Sequence, residues 1–373
     1  MNQKLSLKKL KGIKPKGVKV KPSSKLQSMI ELEKKVVDRY GKLEYEFPTS
    51  SALSCEFKEE SYGNLYRRFE PEFEKSNFSK QDLVNYVNYC FADDSYDTPS
   101  ELIVRGFYSG ALLEYISKQA KQRDEYLCLE INGENNSFDH LFAFARNPCD
   151  LFLENATGRK ICERFGFHSG FNNLALFNIS GDNIGHVLGA NSEKGGNIIL
   201  SNISGNMLFE GALVGTNINS LTASDIKGYC FSQGANLFDL DLIILKNVLD
   251  VAGLSFYSTE ADVVCFENVS SKDLISAEND FRIFRESYIH LLLSKNLSSN
   301  LDEHFTLQFG SSFNDSTRHE DLPKSFNFHK RYLGINTILN LVKNYKKFED
   351  RSDFFKRFDE LRVSSKNKFE KRL

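Results

Sequence analysis

The chain has no tryptophan, no Cys-x-x-Cys pair, no His-x-x-x-His or His-x-His pair, and no apolar run near the length of about 18 residues that a membrane-spanning helix needs. The missing run excludes a helical membrane span. The missing pairs exclude the most compact cysteine and histidine ligand arrangements. Neither sign of charge is in excess, since 48 Lys and Arg face 50 Asp and Glu for a net charge of −2. No global field therefore draws the molecule to nucleic acid or to a membrane. The amino-terminal stretch is basic but lacks an uninterrupted apolar segment, which argues against a secretory leader. The seven cysteines (55, 90, 128, 149, 162, 230 and 265) are odd in number and scattered. They read as small buried hydrophobes in a reducing compartment, and the expected location is the cytoplasm.

What the chain does have is a repeat. One phrase recurs six times: apolar, any, apolar, any, Asn or Asp, then a small or branched apolar residue. It begins at Leu151, Leu174, Ile198, Leu221, Ile243 and Val264. The polar position falls at Asn155, Asn178, Asn202, Asp225, Asn247 and Asn268, spaced 23, 24, 23, 22 and 21 residues apart. A near-constant period of this size is the signature of a solenoid. Alternation has period two, so the two apolar positions of each phrase point the same way and stack into ladders. Asn and Asp tolerate the left-handed conformation, so their column marks a bend, and stacked Asn amides bond to one another. A leucine-rich repeat places its Asn three residues after a Leu, with another Leu two further on, and all six copies here depart from that. The fold expected is mainly β with helical caps: a right-handed parallel β-helix flanked by N- and C-terminal helical segments. At a strand spacing of about 4.8 Å, six rungs give a column of about 29 Å.

The remaining sequence divides around this column into a basic flexible arm at 1–27, a helical N-terminal cap at 28–122, the β-helix at 123–270, and a helical C-terminal region at 271–373 with a loop at 296–328. Nine lysines precede the first acid, Glu31, and Gly12, Pro15, Gly17 and Pro22 prevent one continuous amphipathic helix there. Ser28 followed by Glu31, Ser79 followed by Asp82, and Thr98-Pro99 followed by Glu101 are helix-start signals. In the third helix Gly106 and Gly110 allow close approach to a flat surface, naturally the end of the solenoid. Leu127 to Asn132 is a candidate first rung, and Leu141 to Ala145 a second strand or short helix. Beyond the repeat, helices are expected over 281–295 and 329–347, then one carrying Phe354, Phe355, Phe358 and Leu361, before a frayed basic end at 364–373. The flanking helices are expected to cover the ends of the stack.

The segment from Asn178 to Gly189, with Gly181, Gly185 and Gly189, followed by Gly195-Gly196 and a new apolar strand, resembles the GXGXG-type β-helix. That domain closes the large subunit of glutamate synthase and makes up one subunit of formylmethanofuran dehydrogenase. The resemblance covers about residues 150–270. It implies a structural and interface domain without catalytic residues of its own.

Candidate chemistry is sparse. His168 and His186 lie on adjacent rungs, as metal ligands do in some solenoids, but ordinary histidines explain them better. His319-Glu320-Asp321 reads as solvated loop. The rung acids Glu154, Asp182, Glu210, Asp225, Asp250, Asp262 and Glu267 form no vertical carboxylate ladder of the kind β-helix polysaccharide enzymes use. No catalytic, cofactor-binding or metal site is expected, and no cofactor. The leading expectation is a non-catalytic scaffold that presents a rigid face to a protein partner. A second is nucleic-acid or ribonucleoprotein binding through Lys8, Lys9, Lys11, Lys14, Lys16, Lys19 and Lys21, helped by Lys366, Lys368, Lys371 and Arg372. A third is a non-catalytic subunit of a multi-subunit oxidoreductase or amidotransferase.

Overall fold

A computed structural model of the chain describes residues 24–42, 52–91, 98–192, 194–229, 235–238, 240–250, 256–257, 260–271, 284–285, 288–297, 305–309 and 322–371. The seven arm lysines named above, and His319-Glu320-Asp321, lie outside the described residues.

Among the described residues four helices come first: α1 (Ser24–Tyr40), α2 (Ala52–Ser76), α3 (Lys80–Cys90) and α4 (Pro99–Gln122). The expected capping boxes form at Ser79 with Asp82 and at Thr98 with Glu101. Ser28 is not a cap, because α1 begins at Ser24, a turn earlier. Helix α4 is buried along most of its length, and its core is continuous with the solenoid interior. Gly106 makes the expected close contact: a Cβ there would lie 2.5 Å from the Cβ and carbonyl oxygen of His140. The end of the stack is thus plugged by α4.

The main face of the solenoid is a parallel sheet in which strands stack in chain order: β1 (Cys128–Asn132), β2 (Asp150–Thr157), β3 (Leu174–Ser180), β4 (Gly195–Asn206), β5 (Val214–Tyr229), β7 (Leu240–Asp250), β9 (Glu260–Ser271) and β11 (Tyr288–Leu297). A final strand, β12 (Phe305–Phe309), pairs antiparallel with β11. The register matches the columns read from sequence. Leu151, Leu174, Ile198, Leu221, Ile243 and Val264 face one another rung by rung, as do Leu153, Leu176, Leu200, Ala223, Leu245 and Phe266. All twelve are buried. Each inward aliphatic side chain contributes about 1.5–3 kcal/mol relative to exposure.

The six bend residues all take the left-handed conformation, with φ between 52° and 58°. Their side chains form the expected ladder. Nδ2 of Asn155 donates to Asn132 Oδ1 (3.1 Å), Asn178 to Asn155 (3.0 Å) and Asn202 to Asn178 (2.8 Å). Asp225 has no amide hydrogen to give Asn202, so the ladder restarts there, with Asn247 donating to Asp225 (2.8 Å) and Asn268 to Asn247 (2.9 Å).

Each strand from β2 to β5 continues two to four residues past its bend, and in the first rungs the next side is not made of strands. The Leu141 to Ala145 segment, expected as strand or short helix, is a run of turns, and the next three rungs repeat it. Alternate residues there are left-handed, for example Lys160, Cys162, Arg164, Gly166 and His168, then Asn183, Gly185, Val187, Gly189 and Asn191. The left-handed residues send N–H bonds to neighbouring rungs, as from Gly185 to Ile161 (2.8 Å) and from Val187 to Glu210 (2.9 Å). The residues between them close four-residue turns, as from Leu188 N–H to the Gly185 carbonyl (3.0 Å). Bulky residues such as Phe142, Phe144 and Phe209 are strained in this conformation, and burial of their rings holds them there. From β5 onward the turns give way to a second parallel sheet: the start of β5, then β6 (Ala235–Phe238), β8 (Phe256–Tyr257) and β10 (Phe284–Arg285).

The C-terminal third departs from expectation. The helix expected over 281–295 is instead β10 and β11, so the solenoid runs past residue 270. Leu292-Leu293-Ser294-Lys295-Asn296-Leu297 is a further copy of the phrase, in register with Val264 to Val269, and Ser294 at the second apolar position hid it. The expected loop at 296–328 contains β12 and the start of α5 (Leu322–Tyr332). The single helix expected over 329–347 is broken by Gly334 at φ 77° into α5 and α6 (Ile335–Lys343). The last helix, α7 (Arg351–Glu370), reaches through the segment expected to fray and buries Ser365 and Phe369. Helix α5 packs on β11 and β12, the last strands of the sheet. Helices α6 and α7 lie along the outer face of the sheet, where Phe354, Phe355, Phe358, Ile338 and Val342 pack on Phe152, Phe177, Ile199, Ile244 and Cys265. Ion pairs fasten them: Arg351 to Glu154 (3.5 Å), Arg362 to Asp241, and Lys366 to Asp241 (2.6 Å) and Asp262 (3.8 Å).

Candidate functional site

A groove of about 630 Å³ opens where the sheet's leading edge meets α7. Its floor is a second polar ladder, one residue ahead of each repeat phrase: Asp150, Asn173 and Asn197, continued beneath the surface by the buried Ser220. Asp150 Oδ1 accepts the backbone N–H (3.0 Å) and Nδ2 (3.1 Å) of Asn173. Asn173 Oδ1 accepts the same pair from Asn197, at 3.0 and 2.8 Å. Asn197 Oδ1 accepts the Ser220 hydroxyl at 2.8 Å. The Tyr126 hydroxyl donates to Asp150 Oδ2. Burial pushes the Asp150 carboxyl pKa up, and the bonds from Tyr126 and Asn173 only partly offset this.

Helix α7 supplies the facing wall. Asn197 Nδ2 reaches Asp359 Oδ1 at 3.5 Å, and Asp359 is itself held by Arg362 (2.6 and 2.9 Å). Phe171 and Phe355 add apolar surface, and the Gly195-Gly196 backbone forms part of the lining. Among the described residues, the side chains of Asn219, Lys194 and Lys356 have no hydrogen-bond or ion-pair partner. The pieces of this site stand at spacings of 23, 24 and 23 residues, so its floor was readable in the sequence. The apolar columns and the bend carry the louder signal, and the position just before them is masked by it.

A second polar cluster sits on the turn side. His140 Nδ1 lies 3.3 Å from Glu163 Oε2, Lys58 Nζ 3.9 Å from Glu163 Oε1, and His186 Nε2 4.0 Å from Glu210 Oε2. Burial favours the neutral Glu163, but His140, by hydrogen bond and charge, and then Lys160 and Lys58, outweigh it and hold the carboxyl well below its usual range. Burial lowers the pKa of His186. The cluster joins α2 and the His140 turn under α4 to the second rung, which is a structural pin.

His168 and His186 are not brought together. His168 bonds through its backbone to Ala190 (3.1 Å), whereas Arg164 N–H bonds to His186 (2.9 Å), which places His186 over Glu163. Among the described residues no group of three or more His, Cys, Asp or Glu side chains is placed to hold a metal ion. Of the rung acids, Glu154, Asp262 and Glu267 are paired with basic residues (Glu267 with Lys330 and Lys246), and Asp225 serves the bend ladder. Asp182 Oδ1 accepts the backbone N–H and Nδ2 of Asn206, both at 2.9 Å. Cys90, Cys128, Cys149, Cys162 and Cys265 are buried and form no disulfide, and burial pushes the Cys149 thiol to about 11 and the Cys265 thiol to about 12, so neither is a nucleophile at neutral pH. No described helix is long and apolar enough to cross a membrane.

No protein-family model matches the chain, and no curated protein or solved structure does. The solenoid architecture therefore stands on the register and bonding described above.

Proposed function

We propose that the protein is a non-catalytic scaffold whose rigid β-solenoid presents a binding face to a protein partner. The observation that carries this reading is the commitment of charge to architecture. Lys58, Arg351, Arg362, Lys366 and Lys330 each fasten a helix to a rung acid, so the stack, its end plug and its flank are held as one body. A surface held in this way gives a partner a fixed geometry at little ordering cost. Affinity capture of the tagged full chain from its native host, followed by identification of the captured proteins, tests it. A stoichiometric protein partner is the expected result. A chain that elutes alone under gentle conditions counts against the proposal.

Nucleic-acid binding through Lys8, Lys9, Lys11, Lys14, Lys16, Lys19 and Lys21 is the second reading, supported by nine lysines before the first acid. Lys366, proposed to assist, is held instead by Asp241 and Asp262. Binding that falls steeply with salt and disappears on deleting residues 2–25 supports this reading. Kinship with the GXGXG-type β-helix, and with it a role as a non-catalytic enzyme subunit, is supported by the glycine column at 158, 181 and 205. A Cβ at Gly181 would lie 1.8 Å from the Gly158 carbonyl oxygen, and one at Gly205 would lie 1.7 Å from that of Gly181. Glutaminase or molybdenum-enzyme subunits among captured partners are the outcome that favours it.

A further inference from the structure

We infer that the groove between the Asp150–Ser220 ladder and α7 is a binding site for a neutral saccharide unit. The inference goes beyond the scaffold reading and does not depend on it.

Three features of the groove select the ligand class. The first is size: about 630 Å³ falls within the range of small-molecule sites, and an open mouth suits one or two sugar rings of a longer chain. The second is charge. Asp150, Asp353 and Asp359 face Lys194 and Lys356 around the lining. The sum is a single negative charge, close to zero. A phosphate or nucleotide would meet three carboxyl groups without a nest of free backbone N–H groups, since the Gly196 N–H is already bonded to Phe171 (3.1 Å). A strongly cationic ligand would meet both lysines.

The third is the bonding pattern. A hydroxyl donates and accepts at once, so vicinal hydroxyls are matched by side chains that also do both. Asn219 is half-buried, lines the groove and offers an amide oxygen and two amide hydrogens, with no partner among the described residues. The Asn197 amide has one hydrogen on Asn173 and directs the other at Asp359 across a long 3.5 Å, a contact a ligand hydroxyl can replace or bridge. Phe171 and Phe355, which are 5% and 2% exposed, close the base of the groove with apolar packing. The ladder fixes the floor before any ligand arrives, so little ordering is needed on binding.

The test uses the purified full chain with glucose, galactose, N-acetylglucosamine and galacturonate as probes, and inorganic phosphate and ATP as competitors. Saturation-transfer NMR detects contact, and calorimetry measures affinity. The expected result is saturable binding of at least one neutral sugar with a dissociation constant of about 1 mM or tighter, which neither competitor displaces. Asn219→Ala removes a side chain with no other partner among the described residues, and Lys227→Ala an exposed side chain outside the groove lining, so their thermal melts should match the parent. Asn219→Ala is expected to weaken binding at least tenfold and Lys227→Ala to leave it within threefold. No saturable sugar binding up to about 10 mM overturns the inference, as do displacement by phosphate, preference for galacturonate over the neutral sugars, or binding that Asn219→Ala leaves unchanged. Partner capture has no bearing on these outcomes, so the two proposals fail independently.

Discussion

At the scale of single residues, the Asn column does two jobs that one side chain must combine. Asn178 holds a left-handed backbone at φ 54°, and its amide links three partners: Asn155, Asn202 and the Tyr345 hydroxyl at 3.0 Å. Alanine keeps neither property, and Asn178→Ala is expected to lower stability by about 1–3 kcal/mol in urea unfolding. Titration at Glu163 and His186 gives a second expectation. The folded pKa of Glu163 lies below its usual 4.5, so its contribution is complete above that value and is lost as pH falls below it. His186 is depressed from 6.5, so the unfolded chain takes up its proton first, and stability falls as pH drops below about 6.5. Both act in one direction, and the loss of stability should begin near neutrality and deepen below pH 5. His186→Gln should flatten the upper part of this profile and Glu163→Gln the lower part. Urea midpoints measured at intervals from pH 8 to 3.5 check both, and a parent profile level across that range contradicts them.

At the scale of elements, the decisive contacts are backbone against backbone. Helix α4 reaches the first turn segment only because Gly106 has no Cβ to meet His140. Gly106→Val should cost about 1–3 kcal/mol and loosen the end plug. Gly63→Ala in α2 is the matched control, because the nearest atom to a Cβ there is 3.7 Å away. It should be neutral or stabilising by up to about 1 kcal/mol. Thermal melts of the two variants compared with the parent decide the matter. The elements most legible in the sequence were those written in local code: capping boxes at Ser79 and Thr98, and strands whose apolar pairs alternate. Elements set by distant contacts were not legible. Tyr288 to Leu297 carries enough leucine to suggest a helix, yet the open edge of β9 draws it into a strand. The turn column at Lys160 to His168 has no propensity signal, because bonds to the rungs above and below hold it. The groove floor lay in plain polar periodicity, but its far wall comes from α7, about 200 residues away in sequence, and no local pattern reports that pairing.

At the scale of the whole molecule, the chain covers its own sheet. The positions between inward residues are themselves apolar at Phe152, Ala175, Ile199, Ile244 and Cys265, as expected for a parallel sheet buried on both faces. Their partner is the helical strap of α6 and α7, not solvent. Removing residues 322–373 would bare this strip at once, and the shortened chain is expected to self-associate. Size-exclusion chromatography with light scattering reads the result. A shortened chain that stays monomeric and folded would show that the strap is dispensable. Sequence periodicity alone placed these helices at the end of the stack, because solenoid ends need covers. The apolar spacer positions were the sign that the flank needed one too.

The two side-chain ladders have a direction. In every described link of the bend column the amide of one rung donates to the oxygen of the rung before it, and the Asn173 and Asn197 links do the same. Aligned amide dipoles add, so each unbroken run is an electret with its positive pole toward the amino-terminal end, the side-chain counterpart of a helix dipole. An aspartate stands at that pole in two of the runs, Asp150 ahead of Asn173 and Asp225 ahead of Asn247. A residue that only accepts can begin such a run but cannot continue one. The choice between Asp and Asn along the repeat thus carries polarity, and it marks on the molecule where each electrostatic segment starts.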